Sequence, residues 1–250
     1  MSGRLAALLR GAPDALRHAP AELPALARFL AGGPGRAALA ARFYRITALV
    51  DCPHRQSEVF EVADAILRLD VPGHVVEAGA YRGGSAAKLS LACARAGRRL
   101  RVFDGFEGIP PNDEVMDEAD VLGSRSAGPA RFEAGAYAAS ERELRATLAR
   151  FGAPAVCEVI AGRFADTLPR ERGPVAVAFV DVDLAASTRD CLRGIWPRLS
   201  PGGALFSHDG HLPLVRAVLA DPDTWRPLGG PPARVVGLGR RRLVRLEKGE

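Results

Sequence analysis

Residues 74–86 read HVVEAGAYRGGSA: a short β-branched run, a turn of small residues, and the first turn of a helix. The apolar run is too short for a helix and is bounded by glycine, so it predicts a buried strand. GGSAAKLSLACARAG (83–97) follows as a helix. Outward from this unit the same alternation repeats. RLRVFDGF (99–106), AVCEVIAG (155–162), VAVAFVDVD (175–183) and GALFSHD (203–209) read as four more strands. A helix over roughly 185–198 follows the fourth, and another follows the fifth. The tail ARVVGLGRRRLVRLE has two β-rich pieces around Gly237-Leu238-Gly239, the pattern of a hairpin. Strands alternating with helices predict an α/β fold, a doubly wound, mostly parallel sheet with helices on both faces. Ligands of such sheets lie beyond the carboxyl ends of the strands. That rule gathers Glu77-Ala78-Gly79, Asp104, Gly162, Asp181-Val182-Asp183 and His208-Asp209 on one rim.

The rest of the chain sets bounds. The 250 residues hold no apolar run long enough to span a bilayer. The arginine-bearing N-terminus lacks the apolar core and small-residue cleavage site of a secretory signal. Cys52, Cys93, Cys157 and Cys191 are widely spaced, with no Cys-x-x-Cys pair, so neither a zinc knuckle nor a disulfide framework is expected. A cytoplasmic location follows. The net charge of +5 is carried almost wholly by dispersed arginines, concentrated only at Arg240-Arg241-Arg242, and nucleic acid is not expected as a partner. Residues 1–46 carry breaks at Pro13, Pro20, Pro24 and Gly32-Gly33-Pro34-Gly35, predicting several short helices. A longer helix fits 55–69. Together 1–70 reads as an N-terminal helical segment or lid, before a main domain over 71–250; its Leu/Ala-rich helices leave a homodimer open. The connection 105–139, with acidic residues from Asp113 to Asp120, is long enough to be a lid. Ser140-Glu141-Arg142-Glu143 has the capping-box pattern and starts the next helix.

EAGAYRGGSA (77–86) lets backbone amides and a helix start approach a ligand closely. It lacks the Gly-x-Gly-x-x-Gly of a dinucleotide site. Asp104, ending the second strand, can accept both hydroxyls of a ribose, and Glu77 can face the amino group of an amino-acid ligand. The pair suits S-adenosylmethionine; a plain strand–helix turn with a capping Asp is the alternative.

VPGHVVEAGAYRGGSA, VFDGFEGIP, GRFADTLP, VDVDLAAST and LSPGGALFSHD occur in this order between about residues 71 and 210. Together they resemble the macrocin O-methyltransferase family, the TylF-, MycF- and NovP-like enzymes that decorate antibiotic sugars and related natural products. The resemblance implies a class I methyltransferase (Rossmann-like) fold with a seven-stranded sheet, S-adenosylmethionine as cofactor, and Mg2+. It implies that Glu77, Gly79, Arg82, Gly83, Ser85 and Asp104 line the cofactor, with Gly162, Arg163 and Phe164 near the adenine. Within Asp-x-Asp-Leu it makes Asp181 a metal ligand and Asp183 a proton acceptor or orienting group. The remaining ligands come from an Asp-Asp pair that aligns here with His208-Asp209.

Here the chain departs from the pattern, because one carboxylate has become imidazole. Neutral imidazole is a poor ligand for Mg2+ and a good one for Mn2+, Fe2+, Zn2+ or Ni2+. Three readings stay open: a metal site of Asp181, His208 and Asp209 tilted toward a softer ion; weak Mg2+ on Asp181 and Asp209 with His208 as general base; or metal-free deprotonation by His208 or His211. A fourth makes His208-Asp209 a structural cap. Ala185-Ala186 stands where the family commonly has Tyr-Glu, which alters the acceptor pocket; Ser187-Thr188 are expected to cap the helix that follows. His54-Arg55-Gln56 either reaches the cofactor's carboxylate from the N-terminal lid or is an exposed helix start. The leading expectation is O-methylation of a small hydroxylated metabolite. A nucleotide-dependent oxidoreductase and a non-catalytic cofactor-binding relative are the competing readings.

Overall fold

A computed structural model describes residues 22–117 and 128–249. The predicted helices before residue 22 and part of the acidic stretch of the 105–139 connection, from Glu118 on, lie outside the described residues. The sheet has seven strands: β1 (His74–Ala78), β2 (Leu100–Asp104), β3 (Cys157–Ala161), β4 (Val175–Val180), β5 (Leu199–Ser207), β6 (Arg234–Val236) and β7 (Val244–Glu247), in spatial order β3-β2-β1-β4-β5-β7-β6. The first five are parallel; β7 runs antiparallel to both β5 and β6, so the predicted tail hairpin closes one edge. Winding reverses between β1 and β4, which places the topological switch point at Ala78 and Val180.

β4 is buried along its whole length and β1 along most of it, as central parallel strands covered on both faces must be. Alternate residues serve opposite layers. Val75 and Val177 join the core with helices α1 (Arg36–Leu49), α2 (Gln56–Arg68) and α3 (Gly84–Ala96). Val76 and Ala178 join the core with α6 (Ala185–Ile195) and α7 (Pro213–Ala220), where Trp196 meets Trp225 edge-on at 4.9 Å. In the first layer Phe60 stacks on Phe29 at 4.6 Å and on Phe43 at 6.0 Å, so the N-terminal helices share one core with the sheet. Further helices are α4 (Glu141–Phe151), started by the predicted Ser140–Glu143 capping box, the short α5 (Phe164–Thr167) and a single turn over Pro222–Trp225.

Local differences from the sequence reading have simple causes. Residues 22–30 are helical through Pro24, so that break is absent, whereas the glycine-rich break at 32–35 is present. β4 stops at Val180 and β5 at Ser207, ahead of their polar ends. Asp181, Asp183, His208 and Asp209 need partners that a strand between two apolar layers does not offer.

Candidate active site

The Gly-rich turn is held by the neighbouring strand end. Asp104 Oδ2 accepts hydrogen bonds from the amides of Ala80 (2.7 Å) and Tyr81 (3.1 Å), and Oδ1 accepts from that of Phe106 (2.7 Å). Three amides on one carboxylate leave little lone-pair capacity over, so Asp104 shapes the turn as well as facing the cavity. Gly79 (φ 83°) passes so close to the Asp181 carbonyl that a Cβ would lie 1.8 Å from that oxygen. Gly83 (φ 80°) is the N-cap of α3. Glu77 is fully buried, and burial, only partly offset by Ser85, pushes its carboxyl up to about 8.

A cavity of about 350 Å³ opens over the switch point. Of the sequence-expected residues, Gly79, Ser85, Asp104, Arg163, Phe164, Asp181, Asp183, His208 and Asp209 line it, as does His211. Glu77, Arg82, Gly83 and Gly162 stand behind or beside that lining: Arg82 is half exposed, 3.6 Å from Asp51 and over the Tyr81 ring. Ile109, Pro110 and Tyr137 bring the 105–139 connection to the cavity wall.

The four polar residues at the ends of β4 and β5 do not form one group. Asp209 turns back, and its Oδ2 accepts the amides of Val182 (2.9 Å) and Asp183 (3.0 Å), fixing the Asp-x-Asp turn in which Asp183 has φ 59°. His208 turns toward α2: Nδ1 lies 3.0 Å from Asp181 Oδ1 and Nε2 3.1 Å from Glu58 Oε2. The other Asp181 oxygen, Oδ2, is 2.7 Å from His54 Nε2, and His54 Nδ1 is 3.4 Å from Cys52 Sγ. Lys88, fully buried, donates to Cys52 Sγ at 3.4 Å. Six ionisable groups therefore run in a line, Lys88–Cys52–His54–Asp181–His208–Glu58, with basic and acidic groups alternating.

Electrostatics follows from that alternation. Burial opposes charge on His54, but Asp181 and then Cys52 outweigh it and raise the imidazole to about 9. His208 is raised in the same way by Asp181 and Glu58 against burial. Burial would raise Cys52, yet His54 and Lys88 bring the thiol down to about 6. On the far side of Asp181 the carboxylates crowd each other. Burial and Asp181 lift Asp209 to about 7, and burial, Asp209 and Asp181 hold Asp183 well above the usual carboxylate range. His211, lowered to about 4 by burial, Arg242 and His208, is a neutral imidazole whose Nδ1 finds no hydrogen-bond partner among the described residues.

Two donor clusters share Asp181: His54, Asp181 and His208, and Asp181, Asp183 and Asp209, the ligand atoms of each lying within 4.8 Å of one another. The expected trio Asp181, His208 and Asp209 is thus split between them. His54 is not an exposed helix start: it is buried against Asp181 and the Phe179 ring, 5.2 Å away, on the cavity wall. Glu58 was missed altogether. It looks like an ordinary first-turn acid of α2, and its own Oε2 accepts the Arg55 amide at 2.8 Å.

The cap of α6 is a second departure. Thr188 donates to the Leu184 carbonyl and Leu184, not Ser187 or Thr188, is the N-cap. The unpaired amides of Ala185 and Ala186 are instead accepted by Glu114 of the 105–139 connection, at 2.7 and 2.8 Å. A carboxylate still sits at this helix start, but it arrives from a distant loop. Glu114→Ala is expected to cost about 1 kcal/mol, seen as a Tm lower by roughly 2–4 °C in thermal denaturation.

The family model for macrocin O-methyltransferase (TylF) matches residues 50–226. The chain is 32% identical over 166 residues to the 8-demethyl-8-(2,3-dimethoxy-alpha-L-rhamnosyl)-tetracenomycin-C 4'-O-methyltransferase of Streptomyces olivaceus, covering 63% of this chain and 60% of that protein. It is 30% identical over 169 residues to the mycinamicin III 3''-O-methyltransferase of Micromonospora griseorubida, covering 65% of each. The aligned region thus spans under two thirds of these relatives. Among solved structures, the O-methyltransferase NovP superimposes with a TM-score of 0.59 at 25% identity, over 77% of this chain and 78% of that one. CalS11, a calicheamicin methyltransferase, gives 0.55 at 21% identity, over 90% and 97%, and supports the fold. The chain belongs to the macrocin O-methyltransferase (TylF) family and has the class I methyltransferase fold.

Proposed function

We propose that this protein transfers the methyl group of S-adenosylmethionine to a hydroxyl of a small natural-product acceptor, with a sugar on an antibiotic scaffold as the favoured class. The observation that carries the reading is the single cavity onto which both the Asp104-braced turn and the Asp181–Asp183–Asp209 turn open. The relatives' names supply the acceptor class, since they methylate a rhamnosyl-tetracenomycin and a mycinamicin.

In this reading the remaining lone pair of Asp104 accepts a ribose hydroxyl, and Arg163 and Phe164 flank the adenine. The acceptor oxygen attacks the methyl carbon, the carbon–sulfur bond breaks toward sulfur, and neutral S-adenosylhomocysteine leaves. The acceptor proton must go to a base. Both ring nitrogens of His208 are engaged, by Asp181 and Glu58, whereas the Asp183 carboxyl faces the cavity with raised basicity. We therefore assign proton acceptance to Asp183 and positioning of Asp181 to His208. A divalent cation held at Asp181 would supply charge stabilisation for the acceptor alkoxide.

The same proposal treats 1–70 as an N-terminal segment over a 71–250 catalytic domain, with 105–139 as lid. Cytoplasmic residence, a small-molecule partner and a homodimer through exposed N-terminal residues such as Leu23 and Leu49 belong to it. No helix among the described residues is long and apolar enough to cross a membrane.

Calorimetry with S-adenosylhomocysteine tests the cofactor assignment. Wild type should bind one equivalent, and Asp104→Ala should bind roughly 10–100-fold more weakly, the worth of hydrogen bonds to a charged group. Incubation with S-adenosylmethionine and rhamnosylated polyketides tests the acceptor class, read as the mass gain of one methylene. Equal affinity in the variant, or no methylated product from any glycoside, would reject the respective part.

A further inference from the structure

The geometry points to a borderline transition-metal site built by His54, Asp181 and His208, in place of an all-oxygen Mg2+ site. The inference rests on the methyltransferase reading and specifies the cation of that site.

Three observations carry it. The first is the donor set: two imidazole nitrogens and one carboxylate, all within 4.8 Å of one another. His54 Nε2 lies 2.7 Å from Asp181 Oδ2 and His208 Nδ1 lies 3.0 Å from Asp181 Oδ1. Donors about 2.0–2.2 Å from one first-row ion stand roughly 3 Å apart when adjacent, so little movement is needed for a cation to close on them, taking the place of the imidazole protons shared with Asp181. Imidazole selects Mn2+, Fe2+, Co2+, Ni2+ or Zn2+ over Mg2+, and a pair of them strengthens that bias.

The second observation is the support behind each ring. Metal-bound histidines direct their second nitrogen to a carboxylate, carbonyl or similar acceptor, which fixes the tautomer and aims the ring. His208 Nε2 meets Glu58, itself pinned by the Arg55 amide, and His54 Nδ1 meets Cys52, itself held by Lys88. Glu58 also caps α2 through the Arg55 amide, and its position beside His208 is what a backing carboxylate requires. The third is access. His54, Asp181 and His208 all line the cavity, which leaves the opposite side of a bound ion open to an acceptor oxygen, as in catalytic sites.

The competing carboxylate cluster is weaker by the same criteria. Asp209 Oδ2, one of its anchors, is already engaged by the Val182 and Asp183 amides. Its work is to hold the turn.

Titration of Co2+ into the metal-free protein, followed by ligand-field absorption and calorimetry, tests the assignment. One equivalent should bind with spectral bands of a mixed nitrogen–oxygen site, and excess Mg2+ should not displace it. His54→Gln should weaken Co2+ binding by 100-fold or more, and Glu58→Gln by roughly 10–100-fold. Asp209→Asn should leave Co2+ affinity within a few-fold. Thermal denaturation and S-adenosylhomocysteine binding are run on every variant, so that loss of the fold is not mistaken for loss of the site. Co2+ that fails to bind, is displaced by Mg2+, or depends on Asp209 and not on His54 overturns the assignment. If S-adenosylhomocysteine binds in those cases, the methyltransferase reading stands and only the metal assignment fails; if S-adenosylhomocysteine does not bind the wild type, the failure lies in that reading.

Discussion

Asp181→Asn is expected to lower methyl transfer to any accepted glycoside by about 10²–10⁴-fold, the usual worth of a positioned acid–base or charge-stabilising group. Affinity for S-adenosylhomocysteine should change little, because Asp104 and the turn it braces lie on the other side of the switch point. The size of the effect comes from the number of groups that depend on this carboxylate. Its two oxygens separately receive His54 and His208, and its charge raises both imidazoles as well as Asp183 and Asp209. An amide keeps the shape but removes the charge, so both rings lose the partner that orients them. Single-turnover rates at saturating cofactor separate this loss from one of binding. A reduction confined to KM, with kcat unchanged, would contradict the role assigned to Asp181.

Gly79→Ala should be the most damaging small substitution in the chain. The added methyl would lie 1.8 Å from the Asp181 carbonyl oxygen and 2.9 Å from its carbon, and the backbone there has φ 83°. The left-handed conformation costs an L-residue about 1–3 kcal/mol, and overpacking against backbone adds roughly 1–3 kcal/mol or more. Neither element can yield alone, since Asp104 anchors one turn and Asp209 the other. A Tm drop of roughly 6–20 °C, or recovery only as aggregate, is the expected outcome. An unchanged melting curve with normal cofactor affinity would show that the two turns are less tightly locked than their geometry implies.

The sheet was readable because each buried strand is a short β-branched run ending in a polar or glycine residue at the same rim. HVVEA and VAVAFV announce themselves through composition, and the tail hairpin through Gly237 and Gly239. The cofactor end was readable for a related reason, because a strand-end acid and a glycine turn are adjacent in sequence to the elements that place them. His54 and Glu58 were harder. Each joins the site across more than a hundred residues, through the packing of α2 on the sheet, and no local pattern distinguishes Glu58 from a helix-start acid. Glu114 was hidden in the same way, since its partners at Ala185 and Ala186 lie 71 and 72 positions away. Ser187 and Thr188 drew the capping role by proximity, but Thr188 bonds backward within its own helix.

The hydrogen bond between His208 and Glu58 also bears on how such a chain changes by mutation. Replacing His208 with aspartate would remove the ring nitrogen that meets Glu58 and add a carboxylate beside Asp181, Asp183 and Asp209. That step crowds like charges in a buried space and leaves Glu58 unpaired. Changing Glu58 first would leave His208 unbacked. Residues 58 and 208 are therefore expected to be epistatic: in a double-mutant cycle the stability cost of changing both should be smaller than the sum of the single costs.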